Sequence, residues 1–291
     1  MQSNNSQELS AKSVANLEKL INEWIGKTRW FISDRANPQA HILHGYTLAS
    51  DFTSSTTLLI VRSGSADYFL PITLSITDPE LLSALSEYPE AVLGYLDING
   101  QNLAVIDSTE HPKGQITLLQ ACLGELSVPQ LSGSALRGQL SQLPAFKRID
   151  KLRSEQSNTS IVYEFETSDE ADSSGLIMKL FRIVHPGENP DVQLQAALDK
   201  FGSATVPKQY GSARVELGAA GSAPTADVLS VQEFLTGAKD AWQVFQQELA
   251  SGVQTPQNPE AIFALGAVTA DIHSVLAESF PTVPIHSDAK I

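Results

Sequence analysis

The chain has 291 residues, enough for one large or two ordinary domains, and 42% of them are hydrophobic, so extended cores can form. The 33 acidic and 19 basic side chains give a net charge of -14, which argues against nucleic acid and anionic membranes as partners. The single cysteine, Cys122, allows no internal disulfide and no thiolate zinc site, so we expect a buried thiol in a soluble, cytoplasmic protein.

The N-terminal part is predicted to be a helix packed on an antiparallel sheet. Apolar residues recur at helical spacing over residues 9–24, and Gly26 ends the pattern. The N-terminus lacks the basic and apolar blocks of a secretion signal, and no later apolar run is expected to approach the roughly 20 residues that span a bilayer. Turn signals at Gly64-Ser65 and Asn99-Gly100 separate runs of β-forming residues, which predict strands at 40–48, 56–61, 68–76, 93–98 and 103–107.

The middle of the chain predicts a second β region. Residues 115–143 mix helical and loop-like patterns, and we interpret them as a connecting layer. A helix is expected to begin at Asn189-Pro190, with proline in the first turn. Strands are predicted before and after this helix, at 160–166, 176–181, 206–210 and 228–234. This order is that of a protein-kinase-like small lobe.

Beyond Gly237 the pattern is helical, with one helix near 242–249 and another at 259–278. These are interpreted as the first helices of a truncated helical lobe. The expected fold class is therefore α+β, and the expected domains are a cap over residues 1–110, an intermediate lobe over 111–236 and the start of a helical lobe over 237–291.

The strongest candidate site is a polar turn of small residues at 155–160 that opens the run leading to Lys179. Strand alternation predicts that Lys179 shares a face with Ile177 and Phe181, so its ammonium would lie at the edge of an apolar slot where a phosphate could meet it. A lysine in an apolar strand is more often a surface residue whose ammonium reaches water. The turn before it and the helix after it favour a nucleotide lysine instead.

Other prominent side chains receive structural interpretations. Trp24 and His273 are assigned to cores, whereas Trp30 and Phe31 are left open between core and contact patch. A basic cluster is interpreted as solvating a linker or pairing with the acidic excess rather than binding a polyanion, and it comprises Lys147, Arg148, Lys151 and Arg153.

Several segments, in this order, resemble the actinobacterial maltokinases, other members of which are often found beside or fused to trehalose synthase. Together they extend over nearly the whole chain. The matching segments are Arg29-Trp30-Phe31, Glu155-Gln156-Ser157-Asn158-Thr159-Ser160, Lys179-Leu180-Phe181-Arg182, Pro186-Gly187-Glu188-Asn189-Pro190-Asp191, Gln232-Glu233-Phe234-Leu235 and the helix around Ala270, His273 and Leu276.

The resemblance implies a cap domain, an ATP-binding lobe and a helical lobe that transfers phosphate from ATP to the anomeric hydroxyl of maltose. It implies that small polar residues bring backbone amides and hydroxyls to the phosphates, that a lysine pairs with phosphate oxygens, and that a hinge segment faces adenine. The implied ATP-binding residues are Ser157, Asn158, Thr159, Lys179, Gln193, Gln232, Glu233 and Phe234.

The chain departs from the family pattern in three places. Gln193 stands where the family has a glutamate that pairs with the strand lysine, and an amide supplies no full negative charge. Ile32-Ser33-Asp34 replaces a small residue and a lysine in the cap. The family's His-Gly-Asp catalytic run and its magnesium-binding aspartate motif have no counterpart, so no catalytic residue and no magnesium site are expected. The segment His286-Ser287-Asp288 is interpreted as a solvated tail.

Three hypotheses about function follow. The first is a maltokinase-like interaction or regulatory subunit that is catalytically inactive and whose expected partner is trehalose synthase. The second is an ATP-dependent maltokinase, a phosphotransferase to an alcohol group, seen as a fragment or completed by another chain. The third is a non-catalytic ATP sensor.

Overall fold

A computed structural model of the chain describes residues 11–126, 128–137, 140–153, 157–166, 174–202, 205–218, 223–251 and 259–281. Glu155, Gln156 and the segment His286-Ser287-Asp288 lie outside the described residues. Contacts group the chain into two units, the first formed by Met1–Asn189 and Tyr210–Phe234 and the second by Pro190–Gln209 and Leu235–Ile291.

The first unit opens with helix α1 (Ala11–Ile25), which confirms the amphipathic helix predicted from the sequence. Its buried stripe includes Leu17, Ile21 and Trp24 at helical spacing, so the core assignment of Trp24 is also confirmed. Gly26 follows the helix, where an added Cβ would lie 2.4 Å from the carbonyl oxygen of Arg35. The helix therefore ends where the chain needs the smallest residue.

A six-stranded sheet follows the first helix, and its main path has the order β1-β2-β3-β5-β4 with antiparallel neighbours. Asn99 and Gly100 both have positive φ, which is the conformation that a tight hairpin turn requires. The elements up to this point are β1 (Ala40–Ser50), β2 (Ser54–Ser63), β3 (Ala66–Ser75), helix α2 (Pro79–Ser86), β4 (Val92–Ile98) and β5 (Gln101–Asp107).

The second sheet also has six strands. Helix α3 precedes this sheet in the chain. The short strand Ile183–Val184, which follows the strand that carries Lys179, pairs with β3 of the first sheet and not with the second sheet. The elements are α3 (Pro112–Cys122), β6 (Leu131–Ala135), β7 (Phe146–Lys151), β8 (Asn158–Phe165), β9 (Ser174–Phe181), β10 (Ile183–Val184), helix α4 (Pro190–Lys200), β11 (Gln209–Glu216) and β12 (Thr225–Leu235). The strand order is β6-β11-β12-β9-β8-β7.

The predicted strand at 206–210 was wrong in position, because β11 begins only at Gln209. Pro207 cannot donate a backbone hydrogen bond to a neighbouring strand. The observed strand buries alternate small residues, such as Gly211 and Ala213, whose apolar signal is weak.

The basic segment at 146–151 is strand β7 rather than a linker, and its cations pair with carboxylates, including Arg148 with Asp150.

The two sheets share one hydrophobic core. A single cluster joins Leu58 and Phe69 of the first sheet to Met178 and Val228 of the second, together with Cys122 of α3. Helix α3 is thus part of the core rather than only a connection, and burial raises the pKa of the Cys122 thiol. A second cluster packs α1 against the other residues of the first sheet. The domain boundary predicted near residue 110, between the cap and the intermediate lobe, remains a prediction.

The second unit contains α4 and two further helices, α5 (Ala241–Ala250) and α6 (Pro259–Ser279). Helices α4 and α6 contact each other, and Oγ1 of Thr205 donates to Oδ2 of Asp271 over 3.2 Å. His273 is exposed. Its assignment to a core was wrong, because helical spacing shows which residues share a face but not whether that face is covered. Trp242, Leu249 and Phe263 expose most of their side-chain surface.

Helix α6 is long and apolar enough to cross a membrane by length and composition alone, with a mean hydropathy of 1.4 over Glu260–Ser279. The expectation that no apolar run approaches this length was wrong, because scattered polar residues interrupt the run without lowering its average much. Core helices of soluble proteins meet the same criteria, so this helix carries no conclusion about a membrane.

Candidate functional site

The register of two neighbouring strands sets the surroundings of Lys179. Strand β9 pairs antiparallel with β8, and Lys179 lies opposite Ser160, with Asn158 opposite Phe181. Facing residues in an antiparallel pair project to the same side of the sheet. Lys179, Ser160 and Asn158 therefore share one face, and Lys179 is half-buried there. The predicted placement of Lys179 beside Ile177 and Phe181 agrees with this alternation.

Asn158, Thr159 and Ser160 of the predicted polar turn belong to strand β8, and the lysine lies on the neighbouring strand, β9. Ser157 is exposed at the end of this turn, and Asn158, the first residue of β8, is half-buried. The strands β7, β8, β9, β12 and β11 are neighbours in that order, with α4 following the lysine strand. This is the arrangement expected for a kinase-like small lobe.

Thr159 lies on the other face of the sheet. It is 3% exposed, and its Oγ1 accepts a hydrogen bond from Nε of Arg182 at 2.9 Å. Its neighbours on this face, Ile161 and Leu180, belong to the shared core. The structure therefore brings Asn158 to the lysine face and directs the Thr159 hydroxyl away from it.

Arg182 anchors a buried polar cluster that the sequence interpretation missed. Its Nη2 donates to Oδ2 of Asp107 at 2.7 Å and to Oγ1 of Thr109 at 3.2 Å, and its guanidinium carbon lies 4.7 Å from the centre of the Trp30 ring. Burial opposes ionisation of Asp107, but the charges of Arg182 and Lys151 and the Thr109 hydrogen bonds hold the pKa of that carboxyl below its ordinary value. The only sequence signal was that Arg182 directly follows the lysine strand.

The segment before α4 is fixed by a second ion cluster. Nε of Arg214 donates to Oδ1 of Asp227 at 2.7 Å, while Oδ2 of the same carboxylate accepts from the backbone amide of Asn189 at 2.7 Å. Nη2 of Arg214 also lies 3.0 Å from Oε1 of Glu188. The hydrogen bond that Arg214 donates to Asp227 raises its pKa most, followed by the one to Glu188. The cluster therefore fixes the backbone at Asn189, directly before helix α4 begins.

The predicted hinge lies at the end of β12. Gln232, Glu233 and Phe234 are half-buried, and the first unit ends at Phe234 while the second resumes at Leu235. Gln193 is an exposed residue of α4 and belongs to the second unit, whereas Lys179 belongs to the first. Among the described residues, no group of three or more His, Cys, Asp or Glu side chains could hold a metal ion.

Comparison with known proteins shows the fold. No protein-family model matches the chain. A glucosamine kinase in complex with glucosamine, ADP and inorganic phosphate has a TM-score of 0.51 at 18% identity, covering 91% of this chain and 53% of that chain. Glucosamine kinase in crystal form B has a TM-score of 0.46 at 18% identity, with coverage of 90% and 52%. The chain therefore spans about half the length of the first of these kinases and shares a kinase-like fold with it.

Proposed function

Because the chain has a kinase-like fold, we propose that it is a maltokinase-like protein that binds ATP beside Lys179 and acts as a catalytically inactive interaction or regulatory subunit. The observation that carries the proposal is the register that sets Lys179 opposite Ser160, with Asn158 on the same face. The maltokinase kinship itself rests on the sequence segments that resemble that family.

The chemistry of this face suits a nucleotide phosphate. A lysine ammonium is a compact positive charge with three donors, and it attracts phosphate oxygens more strongly at a half-buried position than in open water. The small side chains of Ser157 and Asn158 allow the backbone to approach a phosphate closely. The segment Gln232–Phe234 would then face the adenine ring, as the resemblance implies.

The proposed inactivity concerns this 291-residue chain taken alone. Phosphoryl transfer needs charge neutralisation by metal ions and a group that orients the attacking hydroxyl. The family's motifs for both roles have no counterpart in the printed sequence. We therefore propose that ATP binds here without turnover and without a requirement for magnesium.

An interaction role is supported by the apolar surface of the second unit. Trp242, Leu249 and Phe263 are 71%, 73% and 81% exposed, and large exposed apolar side chains commonly mark contact surfaces. The proposed partner is trehalose synthase in a cytoplasmic setting, and this choice rests on the resemblance alone.

Two alternatives remain candidates. The chain could be part of an ATP-dependent maltokinase, either as a fragment or completed by another polypeptide, which is favoured because it spans only 53% of the similar glucosamine kinase. It could also be an ATP sensor without a protein partner, for which the Lys179 face alone would suffice.

Two experiments separate these functions. Incubation of the pure chain with ATP, magnesium and maltose should yield no maltose 1-phosphate, and detection of this product would favour the active kinase. Co-purification with trehalose synthase at micromolar concentration should succeed, and a double variant with Trp242→Ser and Phe263→Ser should weaken it. Failure of the wild-type chain to associate, with ATP binding retained, would favour the sensor.

A further inference from the structure

A cavity of about 520 Å³ lies within the first unit, and it borders the Lys179 face at Asn158. Its wall is formed by the end of α1 and the residues after it, the start of β4, the segment after β5, and the facing ends of β7 and β8. Trp24, Trp30, Thr28 and Asn158 line it, and Lys179 does not. The volume falls in the range of sites for small molecules.

The charge around this cavity is opposite in sign to that of the chain. The chain has 33 acidic and 19 basic residues, yet four of the described side chains lining the cavity are basic, namely Lys27, Arg29, Lys151 and Arg153. The three acidic lining residues are Glu90, Asp107 and Glu110. Asp107 is paired with Arg182, and Glu110 is paired with both Lys151 and Arg153, so the excess positive charge lies with Lys27 and Arg29. A local excess of cations in an acidic protein favours an anionic ligand.

Arg182 lies directly behind the cavity wall and is fully buried. Three residues that it contacts line the cavity: Asp107, Thr159 and Trp30. Its Nη1 is buried and has no hydrogen-bond partner among the described residues. A buried charged donor of this kind is unusual in a folded protein and calls for an acceptor nearby.

Two of the exposed cations, Arg153 and Arg29, are held in place by the protein itself. The guanidinium of Arg153 forms two hydrogen bonds to Glu110, of 2.6 and 2.9 Å, and lies 3.8 Å from the centre of the Tyr88 ring. Nη1 of Arg29 donates to the backbone carbonyl of Arg153 at 3.1 Å. Arginine and lysine groups fixed in this way bind phosphate without a large loss of side-chain freedom.

The rest of the lining suits a sugar. Trp24 and Trp30 are buried and contribute only a small part of the wall, while Thr28, Asn158 and Glu90 offer donors and acceptors for hydroxyl groups. We propose that this cavity binds a small phosphorylated sugar, at a site that goes beyond the nucleotide function proposed for Lys179. Lys27 and Arg29 contact the phosphate, and Thr28, Asn158 and Glu90 contact the sugar hydroxyls.

The test is calorimetry on the full chain with glucose 1-phosphate and glucose 6-phosphate, which carry the phosphate at opposite ends of one ring. Glucose alone and inorganic phosphate alone are titrated in separate experiments. At least one sugar phosphate should bind with a Kd below about 1 mM, and each separate arm should bind about tenfold more weakly. Equal binding of inorganic phosphate would overturn the sugar assignment, and binding of neither ester would overturn the site.

Variants locate the binding. The double variant Lys27→Ala and Arg29→Ala changes two exposed side chains and should weaken the sugar phosphate about tenfold. Arg148→Ala, an exposed arginine that does not line the cavity, is the matched control and should leave affinity unchanged. Lys179→Met should also leave it unchanged, so failure here and failure of the ATP proposal are distinguishable. Unchanged affinity in the double variant would contradict the assignment.

Discussion

Nη2 of Arg182 lies 2.7 Å from Oδ2 of Asp107, and both side chains are buried. The two residues are 75 positions apart in the chain. Asp107 ends β5 of the first sheet, and Arg182 directly follows the lysine strand of the second. This ion pair therefore connects the two sheets at the end of the lysine strand, on the side of the sheet opposite to Lys179.

Removing one partner of this pair should be severely destabilising, because the other charge stays buried. We expect Asp107→Asn or Arg182→Met to lower the free energy of unfolding by about 3 to 5 kcal/mol, measured by urea unfolding at neutral pH. The double variant should lose less than the sum of the two. The exposed pair of Arg62 with Asp67 is the control, and Arg62→Ala should cost about 1 kcal/mol or less. A similar small loss at Arg182 would contradict the role of the pair.

His111 should make the protein less stable in mild acid. Its Nδ1 accepts the backbone amide of Gly114 at the start of α3. Burial, then the charge of Lys113, lowers the pKa of His111 to about 4, although Asp51 and Asp78 act in the opposite direction. The unfolded chain takes up this proton near pH 6.5 and the folded one only near pH 4, so stability is full above pH 6.5 and is lost as pH falls. We expect a loss of about 2 to 3 kcal/mol over this window.

The variant His111→Asn isolates this effect, because asparagine keeps a capping acceptor but has no titrating group. Urea unfolding of both proteins at several pH values gives the difference between them, in which the other titrating groups cancel. Parallel pH profiles for wild type and variant would refute the assignment.

Two glycines should respond in opposite ways to alanine. At Gly133 in β6, an added Cβ would lie 1.9 Å from the carbonyl oxygen of Ala121 and 2.7 Å from the amide nitrogen of Gly124, so backbone must move. We expect Gly133→Ala to cost at least about 2 kcal/mol of unfolding free energy. At Gly266 in α6, nothing lies within 4 Å, and alanine should stabilise the helix by about 0.5 to 1 kcal/mol. Thermal unfolding of both variants checks the contrast.

Gln193→Glu should tighten ATP binding. The expectation rests on the resemblance, in which a glutamate at this position supplies the negative charge that fixes the strand lysine. We expect a gain in affinity of about threefold or more, measured by calorimetry with ATP. An unchanged affinity in a variant that folds normally would argue against the pairing of Gln193 with Lys179.

Local patterns predicted much of the fold. The hairpin at Asn99-Gly100, the helix ending before Gly26 and the face shared by Lys179 and Ile177 all follow from the conformations and alternation of neighbouring residues. Each of these features depends on a few consecutive positions, which the sequence displays directly.

Long-range relationships could not be predicted in this way. Nothing in the spacing of Asp107 and Arg182 indicates that they meet. The sequence likewise gives no sign that the Thr159 hydroxyl, predicted to contact phosphate, accepts a hydrogen bond from Arg182. The strand β7 was not predicted because its exposure does not alternate and its register shifts between Phe146 and Arg148. Helix α3 was interpreted only as part of a connecting layer, although most of its residues are buried in the core. Such features depend on which sheets pack together.

The most direct test of the account is calorimetry of the pure chain with ATP. We predict binding with a Kd below about 1 mM, with or without magnesium, and a loss of at least about tenfold in Lys179→Met. Lys147→Met, an exposed lysine on the same sheet, serves as the control and should bind ATP like wild type. Absence of ATP binding in the wild-type chain, or equal affinity in Lys179→Met, would contradict the central claim that this face holds a nucleotide.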